Sequence, residues 1–388
     1  MTKESVVSVV LLLDLSAAFD TVDQSKLLEI LSKEIGIKGN ALSWFSSFLL
    51  DRTQSVKIGN SQSLEQPLPY GVPQGSILGP RLFNIYIRSL YKHVSKTNVN
   101  IEGFADDHQL VKQFVVETQS ISLGHSIRQC LNSISEWMQT YFLCLNENKT
   151  KIIVISPPQV QKQILIQGVN LDESCIRFVA NAKNLGILLD NLLSFNCQIQ
   201  KVVKSSYRTI CEFWRIKCFL TEMQLHQLVC AKIFSSMDNC NVLYYGISVA
   251  NIQKLQRVQN CAARPVCKNH VSTAESLDSM TIKFHWLKVE FRIIYKLLLI
   301  VHRCVYKNAP EPIAALVSTS DSQRTIRLTE TTYKSSYGAR AFSHVAPKLW
   351  NLLPNKICEQ QDIDKYKKEL KTFLMTRGDE FLCWVKRK

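Results

Sequence analysis

Residues 101–114 read Ile101-Glu102-Gly103-Phe104-Ala105-Asp106-Asp107-His108-Gln109-Leu110-Val111-Lys112-Gln113-Phe114. Two strand-like runs, Ile101–Phe104 and Gln109–Phe114, flank Ala105-Asp106-Asp107-His108, which predicts a hairpin with acids at its turn. Upstream, Val6–Leu13 is a continuous β-branched and leucine run ended by Asp14, the pattern of a fully buried strand. If that strand lies beside the hairpin, Asp14, Asp106 and Asp107 come to one edge of a sheet. Crowded carboxylates repel one another and are stable together only with a cation among them. An Asp-Asp pair alone is weak evidence, because most such pairs are exposed turn residues.

The surrounding pattern supplies the layers. Ser25–Glu34 has helical spacing through Leu27, Leu28, Ile30 and Leu31, with Gly36 as C-cap. Ala41–Leu50 predicts a second helix with Trp44, Phe45 and Phe48 on its apolar side. Ser55–Ile58 predicts a short strand, Gln66–Gly79 a shaped Pro- and Gly-rich loop, and Leu82–Tyr91 a helix. Ser120–Tyr141 is a long amphipathic helix, and Lys151–Ile155 a strand stopped by Pro157-Pro158. Helices over one face of a largely antiparallel sheet make an α+β fold. From about residue 194 to Tyr306 the pattern is almost all helix. A polar loop follows at Ser318–Ser336, and a last short helix covers roughly Ile363–Thr376.

The chain has 388 residues, enough for two or three domains. Charge is unevenly placed: residues 1–150 carry −1, 151–200 carry +1, 201–310 carry +10 and 311–388 carry +5. A basic surface of this kind suits a polyanion, most simply nucleic acid, or is a solvated face with no partner. The 13 cysteines are odd in number and show no disulfide framework, which implies a reducing compartment. Cys240, Cys261, Cys267 and His270 lie near one another without zinc-knuckle spacing, so buried structural thiols are the better reading. No apolar run is long enough to span a bilayer, and the first residues do not read as a secretory signal. An intracellular protein of the cytoplasm or nucleus, off the membrane, is expected.

Five stretches occur in a telling order. They are Leu12-Leu13-Asp14-Leu15-Ser16-Ala17-Ala18-Phe19-Asp20-Thr21-Val22-Asp23, Gly71-Val72-Pro73-Gln74-Gly75-Ser76-Ile77-Leu78-Gly79-Pro80, Phe104-Ala105-Asp106-Asp107, Leu145-Asn146-Glu147-Asn148-Lys149-Thr150-Lys151, and Asn184-Leu185-Gly186-Ile187-Leu188-Leu189-Asp190. They resemble motifs A to D and the primer-grip motif of non-LTR, LINE-type retrotransposon reverse transcriptases. Lys254–Arg264, His285–Arg292 and Ala341–Trp350 further resemble vertebrate elements of the chicken-repeat type.

The resemblance implies a right-hand polymerase palm over 1–192, a helical thumb over 193–265 and a mostly helical, LINE-specific region over 266–388. It implies RNA-directed DNA polymerase activity by two-metal nucleotidyl transfer, with RNA template, DNA primer and dNTPs as partners. Two Mg²⁺ ions, or Mn²⁺ in their place, would be held by Asp14, Asp106, Asp107 and the backbone carbonyl of Leu15. By the same resemblance Phe19 excludes the ribose 2′-hydroxyl, and Gln74 and Gly75 shape the nucleotide pocket beside Leu15. Lys149 serves the leaving pyrophosphate, while Arg52 lies in a segment that could reach template. Lys201, Lys204, Arg208, Arg215 and Lys217 would track a duplex backbone.

The chain departs from the family in several places. It begins almost on motif A, so fingers and an endonuclease domain are expected to be missing, as in an N-terminally truncated copy. His108 stands where Thr is usual, Arg81 where Leu is usual, and Gln24 where His is usual. Pro265 falls where a helix former is expected. The competing expectations are a catalytically inactive remnant that binds nucleic acid through its basic helices, and a reading frame whose product has no function.

Overall fold

The computed structural model describes residues 6–95, 99–115, 120–161, 168–171, 174–267, 280, 283–320, 326–333, 335 and 337–387. The chain divides into two units, Met1–Leu193 and Ser194–Lys388.

The first unit is built on a four-stranded antiparallel sheet. Its strands are β1 (Val6–Leu13), β2 (Asn100–Phe104), β3 (Asp107–Val115) and β4 (Lys151–Ile155), in the order β2-β3-β1-β4. β1 is central: Leu13 pairs with His108 on one side, and Leu12 pairs with Lys151 on the other. Because strand side chains alternate, β1 serves two layers. Val7, Val9, Leu11 and Leu13 enter a large core. Helices α1 (Gln24–Lys33), α3 (Gly79–Tyr86), α4 (Arg88–Ser95) and α5 (Ser120–Thr140) contribute Leu27, Leu31, Phe83, Leu90, Leu131 and Ile134 to it. Each such side chain contributes on the order of 1.5–3 kcal/mol by leaving water. On the opposite face Val10 and Leu12 join Ile153 and Ala182 in a small buried cluster, with half-buried Val111, Ile155, Val179 and Leu189 against it. Ala182 and the half-buried Leu189 come from a hairpin of β5 (Asn181–Asn184) and β6 (Ile187–Asp190).

The mixed helix and sheet expected from the sequence is present, with differences in detail. Leu82–Tyr91 is not one helix: α3 ends at Tyr86 and α4 starts at Arg88, with Ile87 between them. Ala41–Leu50 appears as α2 (Gly39–Leu49), but Trp44 is 51% exposed and stacks on Phe48 rather than turning inward. Ser55–Ile58 is replaced by two-residue ribbons that pair Thr53–Gln54 with Gln66–Pro67 and Lys57–Ile58 with Ser61–Gln62.

The regular elements described in the second unit are all helices, apart from one bridge between Thr319 and Leu328 in the polar loop. Asn196–Ile216 packs against Val249–Cys267, and Asn251 Nδ2 donates to Asn196 Oδ1 at 2.7 Å. Val289–Val305 packs against Phe342–Asn351 and Ile363–Arg387. The last helix runs to Arg387, well past Thr376. Gly378 lies inside it. A Cβ there would lie 2.7 Å from the Phe291 ring, so the glycine admits that ring against the helix. Pro265 is accommodated, buried, within the last turn of its helix, where only one backbone bond is forgone. Cys261 and Cys267 are half-buried but Cys240 is exposed, which corrects its reading as a buried thiol, and His270 lies outside the described residues. Among the described residues no helix is long and apolar enough to cross a membrane.

Candidate active site

The β2–β3 turn consists of Ala105 and Asp106, closed by the Phe104–Asp107 pair. Ala105 takes φ +56°, a left-handed conformation that a residue with a Cβ adopts at a cost. His108 holds the turn from inside. It is buried, and its Nδ1–H donates to the Asp106 carbonyl at 3.0 Å. Burial pushes its pKa below the ordinary histidine value, although the Asp106 carbonyl and the nearby carboxylates pull the other way. The imidazole is therefore a neutral wedge, and its Nε2 has no hydrogen-bond partner among the described residues.

Register brings the acids together. Leu13 faces His108, so the next step along the same ladder sets Asp14 against Asp107. Both lie on the lightly covered face, with Val10 and Leu12 on one strand and Val111 on the other. Electrostatics agree with the placement. Burial raises the pKa of Asp107, and so do the charges of Asp106 and Asp14, while His108 and Lys183 oppose the shift. Three carboxylates thus share one edge.

Asp14 is fixed through its backbone. Its N–H donates to Thr150 Oγ1 at 3.3 Å, and its carbonyl accepts from Asn146 N–H at 2.8 Å. Ser16 N–H donates to the Cys144 carbonyl, and Leu15 bridges Leu145. In this antiparallel pattern the bonds come from Asp14 and Ser16. The peptide groups of Leu15 therefore turn away from residue 145, toward the hairpin side. Lys149 Nζ stands 3.7 Å from Asp14 Oδ2, an oxygen that is buried and accepts no hydrogen bond among the described residues.

A second loop closes on the first. Gly71 takes φ +85°, and a Cβ there would lie 3.0 Å from the Asp20 backbone. Only glycine lets the two chains approach this closely. Gly71 N–H donates to the Val22 carbonyl at 2.8 Å and Val72 N–H to the Phe19 carbonyl at 2.9 Å. Buried Gln24 ties the same loop through Nε2 to the Leu68 and Gly71 carbonyls, and Arg52 Nη1 also donates to the Gly71 carbonyl. Phe19 is half-buried on Phe83, with ring centroids 4.7 Å apart. Exposed Gln74 donates from Nε2 to Asp20 Oδ1 at 2.7 Å. Gly75 has φ +77° with open space where a Cβ would stand. Tyr86 links these parts: its hydroxyl accepts from Asp23 N–H and donates to the Tyr141 carbonyl at 2.6 Å, and burial pushes its pKa up to about 12.

The structure thus gathers Asp14, Leu15, Asp106, Asp107 and Lys149 at the sheet edge, and it gathers Phe19, Gln74 and Gly75 around the closed loop pair. Sequence reading gave no role to Asp20, Gln109 or Lys183. Asn184 Nδ2 donates to Gln109 Oε1 at 2.7 Å, anchoring the β5–β6 hairpin beside Asp107. The alternation in β3, which puts Gln109 on the face of Asp107, was the available signal. Among the described residues no three His, Cys, Asp or Glu side chains form a ready-made metal cage.

Residues 1–186 match the sequence profile of a family described as reverse transcriptase (RNA-dependent DNA polymerase). Over those residues the chain resembles a reverse transcriptase domain. The retrotransposon resemblance read from its motifs is borne out. The chain is 25% identical over 279 residues to the probable RNA-directed DNA polymerase from transposon BS of Drosophila melanogaster, covering 66% of this chain and 28% of that protein. It is 25% identical over 243 residues to the RNA-directed DNA polymerase from mobile element jockey of the same species, covering 61% and 24%. A Pol polyprotein from the type-1 retrotransposable element R1 of Nasonia vitripennis is 22% identical over 234 residues, covering 58% and 67%. The chain therefore spans about a quarter of the length of the first two relatives. Among solved structures, telomerase from Candida tropicalis with a fragment of telomeric RNA aligns at TM-score 0.40 and 11% identity, over 99% of this chain and 50% of that one. At that score the likeness bears no weight for the reverse transcriptase domain.

Proposed function

We propose that this chain performs RNA-directed DNA synthesis, with residues 1–192 as a polymerase palm, 193–265 as a thumb and 266–388 as a further helical region. The observation that carries the reading is the shared edge of Asp14, Asp106 and Asp107, where the charges of Asp106 and Asp14 add to burial in raising the pKa of Asp107. A buried Asp14 oxygen with no hydrogen-bond donor, beside two more carboxylates, fits a hard divalent cation. Two Mg²⁺ ions would be held by the three carboxylates and the Leu15 carbonyl. The lack of a preformed cage suits ions that complete their shell with water and substrate phosphates. When bound, they would supply Lewis-acid activation of the primer 3′-hydroxyl and charge for the departing pyrophosphate.

The chain's own groups set the geometry. The β1 register and the His108 wedge hold the acid edge in place, so little reorganisation is needed on nucleotide binding. Phe19, backed by Phe83, forms an unyielding wall against a ribose 2′-hydroxyl. Gln74, held by Asp20, and Gly75 line the pocket mouth. Lys149 offsets the acid edge and offers positive charge to the leaving group. RNA template, DNA primer and dNTPs are the partners this chemistry requires. Work inside the cell, in cytoplasm or nucleus, accords with the free thiols.

Primer extension on an RNA template with Mg²⁺ tests the reading. Wild type should extend, and Asp106→Ala should lose on the order of 10²–10³-fold or more, the scale for removing one preorganised stabilising group. Equal background from both proteins would end the catalytic reading. It would leave duplex binding by the basic half, which carries 30 Lys and Arg against 15 Asp and Glu in residues 194–388.

A further inference from the structure

The run His285–Arg292 has no part in the polymerase reading. Three of its residues, His285, Leu287 and Arg292, line a cavity of about 210 Å³ in the second unit, together with Asp238, Asn241, Lys296 and Lys371. The only carboxylate of that lining is already engaged. Arg292 Nε donates to Asp238 Oδ1 at 2.9 Å and Arg292 Nη2 donates to Oδ2, while Asn241 Nδ2 donates to Oδ1 at 3.1 Å. The Arg292 guanidinium also lies over the Phe234 ring, 4.2 Å from its centroid, so it is held in place.

Lys371 has no such partner. None of the ion pairs among the described residues includes it or Lys296. Lys371 is half-buried, and burial together with the adjacent Arg292 charge holds its pKa below the ordinary lysine value. A partly desolvated ammonium without a counter-charge is unfavourable, and an anion entering the cavity relieves it. Lys296, exposed at the rim, adds a second free positive charge. His285 enters the wall at φ +53°, a left-handed conformation that neighbouring structure must hold.

We propose that this cavity is a phosphate-binding site, with the group seated against Lys371 and Lys296 and with Arg292 fixing the wall. Tetrahedral oxyanions match clustered Lys and Arg donors. The phosphate comes from a nucleic-acid backbone or from free phosphate. The charge balance favours the backbone: residues 194–388 carry net +15, while residues 1–193 balance 17 basic against 17 acidic residues. The proposal does not use the carboxylate edge, and its readouts are binding, so a failure of DNA synthesis leaves it standing.

The full chain would be titrated into a labelled RNA–DNA duplex over a salt series, as wild type, Lys371→Gln and Lys365→Gln. Lys365 is exposed on the same helix, outside the cavity, and serves as the charge control. Thermal unfolding with inorganic phosphate against chloride, at equal ionic strength, forms the second arm. A backbone source predicts that Lys371→Gln weakens duplex binding several-fold and flattens the salt slope by roughly one unit, while Lys365→Gln does much less. A free-phosphate source predicts unchanged duplex binding, with a phosphate-dependent rise in Tm that Lys371→Gln abolishes. If Lys371→Gln and Lys365→Gln behave alike in both arms, the cavity is not a phosphate site.

Discussion

On β1, Val7, Val9, Leu11 and Leu13 turn toward a thick layer of helices, whereas Val10, Leu12 and Asp14 lie on the opposite face, where Val10 and Leu12 form a small cluster with Ile153 and with Ala182 of the β5–β6 hairpin. One strand therefore feeds two unlike faces. The first is deep and continuous and carries the stability of the unit. The second is thin and provides little to offset the repulsion of three acids. The lesson is a division of labour at a period of two: residues one position apart answer to different requirements.

Three comparisons sharpen that contrast. The largest effect is expected from the cores themselves. Leu11→Ala, at a site 3% exposed in the deep layer, should cost about 2–5 kcal/mol. Leu12→Ala, at a site 9% exposed in the thin cluster, should cost roughly half as much. Urea unfolding of both variants measures the difference, and equal losses would show the two faces to be equally important.

Next come the glycines of the loop that closes on Phe19–Val22. Gly71→Ala forces a Cβ against the Asp20 backbone as well as straining φ, and should cost about 2–3 kcal/mol. Gly75→Ala meets open space and carries the conformational term alone, about 1 kcal/mol. The same unfolding measurement ranks them, and a reversed order would mean that the loops do not close as described.

The smallest effects lie in the pH dependence of the hairpin tip. His108 is neutral when folded, with a pKa below 6.5. Its unfolded form takes up a proton first as pH falls, so its contribution is full above about 6.5 and lost below it. Wild type should therefore lose more Tm between about pH 7.5 and about pH 5.5 than His108→Thr does. Asp107 has the opposite sign. Its pKa is raised when folded, so its contribution is full below the ordinary value of 3.8 and lost as pH rises through the folded value. Asp107→Asn should accordingly raise Tm at neutral pH in metal-free buffer. A fall would contradict the crowding of the acids.

Much of the first unit was legible because its signals are local. The apolar run ended by Asp14 gave β1 with its observed ends, and Pro157-Pro158 marked the end of β4. Long-range closure was not legible. The Gln74–Asp20 hydrogen bond joins residues 54 apart, and the Gln109–Asn184 bond joins residues 75 apart. No periodicity encodes either. The run of the last helix past Thr376 was hidden for a related reason: its Gly378 makes space for Phe291 from another element. Trp44 misled in the other direction, since an aromatic at an inward helical position stacks on its own helix neighbours instead.

The central position of β1 also has a meaning in time. Ser8 pairs with Gln113 on one side and with Ile155 on the other, 105 and 147 residues later. At about 5–20 residues per second, the ribosome needs roughly 7–30 s to make the second partner available. Throughout that interval Val6–Leu13 is an apolar strand with both edges open, the kind of segment that pairs with the wrong chain. The acid edge is thus assembled late in synthesis, and the yield of folded protein should depend on what shields β1 while it waits.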